Sequence, residues 1–228
     1  MAIKTDNSTG RFSGFEIAGR KWKSTVHNRG FLPIAFAFLT LLVFIVILLP
    51  YFFNYIELRT GFVMSDPLLD HIPSKDISPI LFTILWAMIL LVLYRSFQHP
   101  AIFLQLLVSF TLLTILRITA IFLIPLEPPL HLIALTDPLS NFFYGQQEFI
   151  TRDLFFSGHT STIVLIYLCL RKKNDKRIAL LASFLISVLV LVQHVHFIID
   201  VVAAPVFAWL SFIIARQFIR NIVPDPDL

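Results

Sequence analysis

Two histidines and an aspartate lie where long apolar segments begin or end, and their side chains could perform acid–base and nucleophilic chemistry. His159 lies in the polar stretch RDLFFSGHTS (152–161), and His196 and Asp200 lie in HVHFIIDVVAA (194–204). A carboxylate four residues after a histidine shares one helix face with it and can accept a hydrogen bond from one ring nitrogen. The other ring nitrogen is then oriented as a base or a nucleophile.

The elements that must position these residues are predicted to be membrane-spanning helices. The chain has 228 residues, of which 57% are hydrophobic and 14% are charged, whereas soluble domains are about 45–50% apolar. Six apolar stretches approach the length that a spanning helix needs, and they lack the two-residue alternation of a membrane barrel. They cover 31–53, 78–94, 101–125, 158–170, 178–197 and 197–215. The predicted fold is an all-α, polytopic bundle of six transmembrane helices.

The positive charges divide unequally between the two sides of this bundle. Fourteen Lys and Arg residues lie in the N-terminal segment, the turn at 95–100, the segment RKKNDKR (171–177) and the C-terminal segment, whereas the loops 54–77 and 126–157 hold three. Because such residues accumulate on the cytoplasmic side, both termini are predicted to be cytoplasmic. The predicted parts are a cytoplasmic tail (1–30), a membrane domain (31–220, catalytic core about 115–215) and a second cytoplasmic tail (221–228).

Several other polar segments have simpler interpretations. RKKNDKR (171–177) is interpreted as an orientation signal, with binding of anionic lipid headgroups as the alternative, and this placement of charge argues against a nucleic-acid partner. The spacing of Asp66, Asp70, His71 and Asp76 resembles that of metal ligands, but these residues are interpreted as parts of a solvated acidic loop. The segment 132–149 is compatible with an interfacial helix or an ordered loop.

The predicted topology brings the two histidines to one side of the membrane. They are 37 residues apart, which corresponds to about 55 Å of helix, or two membrane crossings. Charged groups inside a membrane are costly, so Asp200 and the intramembrane Arg117 indicate a functional site. The alternatives are interfacial histidines, a helix-stabilising His–Asp pair, or a zinc site formed by His159, His194, His196 and Asp200, although no HExxH pattern is present.

The segments around these residues resemble signature motifs of the sphingomyelin synthases, a branch of the type 2 phosphatidic acid phosphatase superfamily of six-span membrane enzymes. DLFFSGHT (153–160) resembles the third motif, and HVHFIIDVVAA (194–204) resembles the fourth. LRITAIFLIPLEPP (116–129) is a looser match to an Arg-containing motif. The resemblance covers roughly 115–215, whereas the first two spans match only in hydropathy.

The resemblance implies catalytic roles for three residues. His196 would attack phosphorus to form a phosphohistidine intermediate, and Asp200 would orient His196 and stabilise its positive charge. His159 would protonate the departing oxygen and then deprotonate the incoming hydroxyl or water. Two histidines thereby supply acid, base and nucleophile, so no metal or other cofactor is implied.

A second group of residues is predicted to bind the substrate or its phosphate. Its members are Arg117, Arg152, Asp153, Ser157, Gly158 and His194. Ser157 and the backbone N–H of Gly158 are predicted to hold a phosphate oxygen, because the N-terminus of a helix attracts anions.

The chain departs from the phosphatases of that superfamily at two cationic positions. Those enzymes share a Lys that is followed, after six residues, by Arg-Pro. At the corresponding positions this chain has Arg117 and then Ile124–Pro125. They also carry an Arg six residues before the nucleophilic histidine, where this chain has Val190. A phosphomonoester carries nearly two negative charges and a phosphodiester carries one, so the loss of cations favours a diester headgroup over phosphatidate. Arg152 is a possible replacement for one of them.

The resemblance therefore predicts a lipid phosphotransferase, similar to sphingomyelin synthases, with its active site on the non-cytoplasmic (periplasmic, lumenal or extracellular) face. It would cleave a phospholipid headgroup and pass it to a lipid alcohol such as ceramide or diacylglycerol. A lipid phosphate phosphatase or a phospholipase C-type hydrolase that uses water is the alternative. A transporter with a His–Asp proton relay and an inactive scaffold are the non-enzymatic alternatives. The predicted partners are the donor, the acceptor and the bilayer, and the oligomeric state is left open.

Overall fold

A computed structural model describes residues 14–135 and 150–222. Within these ranges the chain forms seven α-helices and one short 3-10 helix, Leu69–His71, and its extended segments contribute an isolated β-bridge between Phe62 and Leu126. The helices are α1 (Gly14–Val26), α2 (Phe31–Leu58), α3 (Ser78–Gln98), α4 (Pro100–Leu123), α5 (Gly158–Cys169), α6 (Lys173–Val192) and α7 (Ile198–Ile222). The all-α class is confirmed for these residues. Most of the C-terminal tail (221–228) and most of the segment 132–149 lie outside them.

Four of the described helices are long and apolar enough to cross a membrane, namely α2, α3, α4 and the Ile198–Arg220 part of α7. The predicted fourth span is the apolar helix α5, which has 12 residues and is therefore about 18 Å long. A hydrocarbon layer of about 30 Å is longer than this helix. The integral-membrane assignment is supported by the four long helices, whereas the six-span arrangement and the cytoplasmic placement of the termini stay predictions.

The predicted fifth span, 178–197, differs from the structure at its C-terminal end. Helix α6 ends at Val192, so His194 and His196 lie in the turn between α6 and α7 rather than on a helix. His194 has φ of 55°, a left-handed backbone conformation that non-glycine residues seldom adopt and that ends an α-helix. The apolar pattern continues through this turn, and hydropathy alone therefore placed the helix end too late.

Helix α5 lies at the centre of the bundle and packs against α3, α4, α6 and α7. Leu165 of α5 shares a buried apolar cluster with Ala204 and Ala208 of α7, and small residues of this kind let two membrane helices approach closely. Ile163 packs in a second cluster with Ile186 of α6. The short helix is thus held between four neighbours, and its N-terminus has a fixed position.

The bundle has two chemically different ends. The histidine end contains His159, His194 and His196, at the start of α5 and before α7. The basic end contains the turn after α5, with Arg171 and the start of α6, and the C-terminal half of α7. Most apolar side chains of α2, such as Phe36, point outward and are exposed, as expected for contact with lipid.

Candidate active site

The carboxylate of Asp200 lies beside the imidazole of His196. His196 Nδ1 is 3.5 Å from Asp200 Oδ2, and the two residues are 2% and 0% exposed. Asp200 Oδ2 also accepts a hydrogen bond of 2.9 Å from the backbone N–H of Phe197. The two residues predicted to pair from the four-residue spacing are therefore adjacent, at ion-pair distance rather than in a hydrogen bond, and only Asp200 lies on α7. This arrangement leaves Nε2 as the ring nitrogen available for chemistry.

His159 lies beside this pair, in the first turn of α5. The centres of the His159 and His196 rings are 6.3 Å apart, with 62° between their planes. The ring of Phe82 on α3 packs edge-on against His159 at 6.1 Å. The structure thus brings together the two histidines that are 37 residues apart, at a separation that allows both rings to contact one tetrahedral phosphate group. Their catalytic roles stay predictions.

Ser157 begins α5 and connects it to α7. Its hydroxyl oxygen accepts a hydrogen bond of 3.4 Å from the backbone N–H of Thr160, which is the usual contact of a helix N-cap. Its own backbone N–H donates to the carbonyl oxygen of Asp200 over 3.1 Å. The Ser157 side chain is fully buried. The hydroxyl of Ser157 therefore caps the helix, and its contact with phosphate stays a prediction.

The side chain of Arg117, on α4, contacts the residues at the start of α5. Its Nη2 is 2.6 Å from Asp153 Oδ2, and its Nη1 donates to the carbonyl oxygen of Phe156. A Cβ atom at Gly158 would be 2.5 Å from the guanidinium carbon of Arg117, so only glycine leaves room for this approach. The guanidinium group therefore lies against the N-terminal turn that carries His159, and it is partly balanced by one carboxylate.

Arg152 is engaged with the loops rather than with the histidines. Its Nη2 is 2.9 Å from Glu127 Oε2, and its Nη1 donates to the carbonyl oxygens of Glu57 and Arg59. The Glu57 carboxylate in turn accepts hydrogen bonds of 2.7 Å and 2.8 Å from the backbone N–H groups of Thr151 and Arg152. These bonds fasten the segment before α5 to the end of α2.

His194 connects three segments at the histidine end. Its Nδ1 is 2.9 Å from the carbonyl oxygen of Leu130, and its Nε2 is 2.8 Å from that of Ile72. The residue is 3% exposed. These contacts hold its left-handed backbone conformation in place, and they direct the ring toward the loops. His194 is thus close to the site in sequence, but its side chain is not part of the His159–His196 pair.

Two residues that organise the site were interpreted differently, or were not singled out, in the sequence. Asp66 accepts hydrogen bonds of 2.8 Å from the backbone N–H of Ile198 and of 3.2 Å from that of Leu69, so it caps α7 from a distant loop. The amide of Gln193 is fully buried and bonds to Ser78 and Ile77 at the start of α3. Sequence spacing carries no signal for either contact, because 132 and 115 residues separate the partners.

Asp76 belongs to the same set of contacts and is likewise not simply solvated. Its Oδ1 accepts hydrogen bonds from the backbone N–H and the hydroxyl of Ser78 and from the Gln193 amide. The bonds from Ser78, followed by the bond from Gln193, lower the pKa of the Asp76 carboxyl. The carboxylate is therefore stabilised in its charged form, and it helps to hold the end of α6 against the start of α3.

A largely apolar cavity of about 370 Å³ leads to the histidine end. Its walls are side chains of α2, α3 and α4, and its polar end contains Arg117, Asp153, Gly158 and His159. His196 is not among the described residues that line it. A cavity of this size and composition suits part of an apolar ligand whose polar group lies near His159.

The zinc alternative finds no support in the geometry of the described ranges. Among residues 14–135 and 150–222, no group of three or more His, Cys, Asp or Glu side chains is placed to hold a metal ion. Both ring nitrogens of His194, one of the candidate ligands, lie against carbonyl oxygens.

Comparisons with known proteins agree with part of the sequence interpretation. The structure named "Crystal structure of Aquifex aeolicus LpxE" is similar, with 19% identity and a TM-score of 0.47, over 72% of this chain and 92% of that chain. A search of curated proteins gave no match. Residues 152–217 match the family model described as PAP2 superfamily C-terminal. The part of the chain that contains His159, His196 and Asp200 is therefore similar to the C-terminal part of the PAP2 superfamily.

Proposed function

We propose that this protein is a membrane lipid phosphotransferase of the sphingomyelin synthase type. The observation that carries the proposal is the placement of His196 against Asp200 at 3.5 Å with the His159 ring 6.3 Å away. The similarity of residues 152–217 to the PAP2 superfamily C-terminal model supports a lipid phosphatase-type enzyme. Transfer to a lipid alcohol is the more specific part of the proposal.

The reaction proceeds in two displacements at phosphorus. In the first, Nε2 of His196 attacks, the bond between phosphorus and the lipid oxygen breaks, and His159 gives its proton to that oxygen. In the second, the acceptor oxygen attacks the phosphohistidine, its proton passes to His159, and the bond between His196 and phosphorus breaks. Asp200 stabilises the positive charge that the His196 ring carries between the two steps.

The charges near the cavity support a phosphodiester as the donor. Arg117 is the basic side chain among the described residues that line the cavity, and Asp153 balances part of its charge. Arg152 is bonded to Glu127 and to loop carbonyls, and a role in replacing the missing cations would require these bonds to break. A single guanidinium group whose charge is partly balanced by Asp153 suits the singly charged phosphate of a diester better than the nearly doubly charged phosphate of a monoester.

The apolar walls of the cavity support a lipid alcohol as the acceptor. The apolar lining of the cavity extends to its polar end at His159 and includes Leu49 of α2, Leu85 of α3 and Leu113 of α4. A ceramide or diacylglycerol could place its hydroxyl at His159 while its apolar part remained among these side chains. Water is the alternative acceptor, and the product of that reaction would be a free headgroup phosphate.

The distribution of basic residues supports a non-cytoplasmic site. The segment 171–177, which forms the turn after α5 and the first turns of α6, holds five of the Lys and Arg residues, and it lies at the end of the bundle opposite His159. If that turn is cytoplasmic, the histidine end faces the periplasm, a lumen or the cell exterior.

The test is a comparison of donors and acceptors with the purified full-length protein. Labelled phosphatidylcholine, phosphatidylethanolamine and phosphatidate are each incubated with and without ceramide or diacylglycerol, and the lipids are analysed by mass spectrometry. We expect headgroup transfer from a diester donor that depends on the acceptor. Release of phosphate from phosphatidate alone would overturn the diester assignment, and water-soluble phosphobase formed at the same rate with or without acceptor would favour hydrolysis.

Two variants separate an enzyme from the non-enzymatic alternatives. His196→Ala and His159→Ala should lose the conversion, whereas His71→Ala, a change at an exposed histidine of the 3-10 helix, should retain it. Unchanged lipid conversion in both site variants would favour a transporter or an inactive scaffold over an enzyme.

A further inference from the structure

A second cavity, of about 350 Å³, opens at the basic end of the bundle. It lies where α4 begins, α5 ends, α6 begins and α7 nears its C-terminus, so four helices contribute to it. Asp200 and Arg216 are 16 residues apart on α7, which is about 24 Å along the helix. A group bound in this cavity is therefore out of reach of His196 and His159.

Three basic side chains from separate elements line this cavity. Arg171 comes from the turn after α5, Lys176 from the first turns of α6 and Arg216 from α7. No acidic side chain is among the described residues that line it. The nearby Asp175 is turned away and binds Arg95 of α3, with distances of 2.6 Å and 3.1 Å between their polar atoms. The described lining of the cavity is therefore basic.

Membrane orientation does not account for this convergence. A basic residue that orients a helix needs only to lie on the cytoplasmic side, and exposed residues such as Lys173 satisfy that requirement. Lys176 and Arg216 are instead partly buried and line the same cavity, an arrangement that membrane orientation does not require. The Lys176 ammonium is also held 4.7 Å from the centre of the Tyr167 ring, which fixes its position.

We propose that this cavity binds the phosphate group of an anionic membrane lipid. Arg171, Lys176 and Arg216 contact the phosphate oxygens through charge-assisted hydrogen bonds. The remaining walls include Ile102, Leu168 and Phe212, and these apolar side chains at the end of a membrane bundle accommodate the start of an acyl chain. A lipid fits both the basic and the apolar surfaces, whereas a soluble phosphate would use only the first.

The test measures lipid retention by the full-length protein. Delipidated protein is titrated with phosphatidylglycerol or phosphatidylcholine, and bound lipid is counted by native mass spectrometry. The pocket variant is Lys176→Gln with Arg216→Gln. The matched control is Lys173→Gln with Arg220→Gln, which removes the same charge from exposed positions on the same two helices. We expect the affinity for phosphatidylglycerol to fall at least about tenfold in the pocket variant and to stay unchanged in the control variant.

Further variants test whether a loss of lipid binding results from unfolding or from binding at the histidine site. Lys176→Arg should retain the lipid, and thermal unfolding of each variant reports whether the bundle is intact. His196→Ala should bind phosphatidylglycerol like the parent protein, whether or not the proposed reaction occurs. The proposal is overturned by equal losses in pocket and control variants, by equal retention of the two lipids, by loss of binding in His196→Ala, or by displacement of the lipid with millimolar inorganic phosphate.

Discussion

The backbone N–H of Ser157 donates a hydrogen bond to the carbonyl oxygen of Asp200 over 3.1 Å, and this bond joins the two halves of the candidate site. His159 is two residues from the donor, and His196 is four residues from the acceptor. A shift of α5 relative to α7 would therefore change the separation of the two rings directly. The distance between the histidines is set by backbone contacts as well as by side-chain packing.

Replacement of Asp200 by Asn should reduce turnover by a factor between about 10² and 10⁴. An amide lacks the negative charge that stabilises the His196 ring while it is bonded to phosphorus. The measurement is the steady-state rate of lipid conversion, with binding of the donor followed separately. A fall in donor affinity with unchanged turnover would contradict the assigned role of Asp200.

Replacement of His159 by Ala should slow the reaction less when the donor has a good leaving group. A nitrophenolate departs without a proton, so the first displacement no longer needs His159 as an acid. We expect a loss of about 10²–10⁴-fold with a phospholipid and a much smaller burst-phase loss with a nitrophenyl phosphodiester. Equal losses with both donors would indicate that His159 does not protonate the departing oxygen.

Replacement of Gly158 by Ala should displace Arg117 and lower activity. The added Cβ atom would be 2.5 Å from the Arg117 guanidinium carbon, so either Arg117 or the start of α5 must move. Gly19→Ala is the matched control, because a Cβ atom there has no neighbour within 4 Å and alanine favours the helix. Activity and thermal stability are compared for both variants, and full activity in Gly158→Ala would contradict the close approach.

Replacement of Asp66 by Ala should destabilise the protein by about 0.5–2 kcal/mol, the range found for the loss of a helix cap. Asp66 holds the backbone N–H of Ile198, two residues before Asp200, so turnover should fall as well. Asp70→Ala, a change at an exposed residue of the same loop, should leave both quantities unchanged. The measurements are thermal unfolding in detergent and the rate of lipid conversion, and equal effects of the two variants would rule out the capping role.

The parts of the site that the sequence predicted are those that depend on local spacing and hydropathy. His196 and Asp200 are four residues apart, and the hairpin of α5 and α6 returns the chain to His159. The position of the helix end at Val192 was missed, because Val195 and Phe197 continue the apolar pattern while the backbone of His194 is left-handed. Hydropathy reports partition into lipid and not backbone conformation.

The parts that could not be predicted depend on contacts between distant segments. Asp66 looked like one of several acidic loop residues, and only the fold shows that it caps α7. Arg152 was predicted to bind the substrate phosphate in place of one of the missing cations, and in the structure its guanidinium binds Glu127. In both cases the residue type and its neighbours in sequence are compatible with several partners, and the packing of loops selects one.

The short length of α5 has a consequence for where the chemistry takes place. If the basic turn after Cys169 lies at one boundary of the hydrocarbon layer, a helix of 12 residues brings Gly158 only about 18 Å into a layer of about 30 Å. The reacting phosphate would then leave the headgroup plane and descend below it to meet His159. Water is scarce at that depth, so solvent accessibility, rather than the intrinsic reactivity of hydroxyl groups, would control how the phosphohistidine partitions between acceptors.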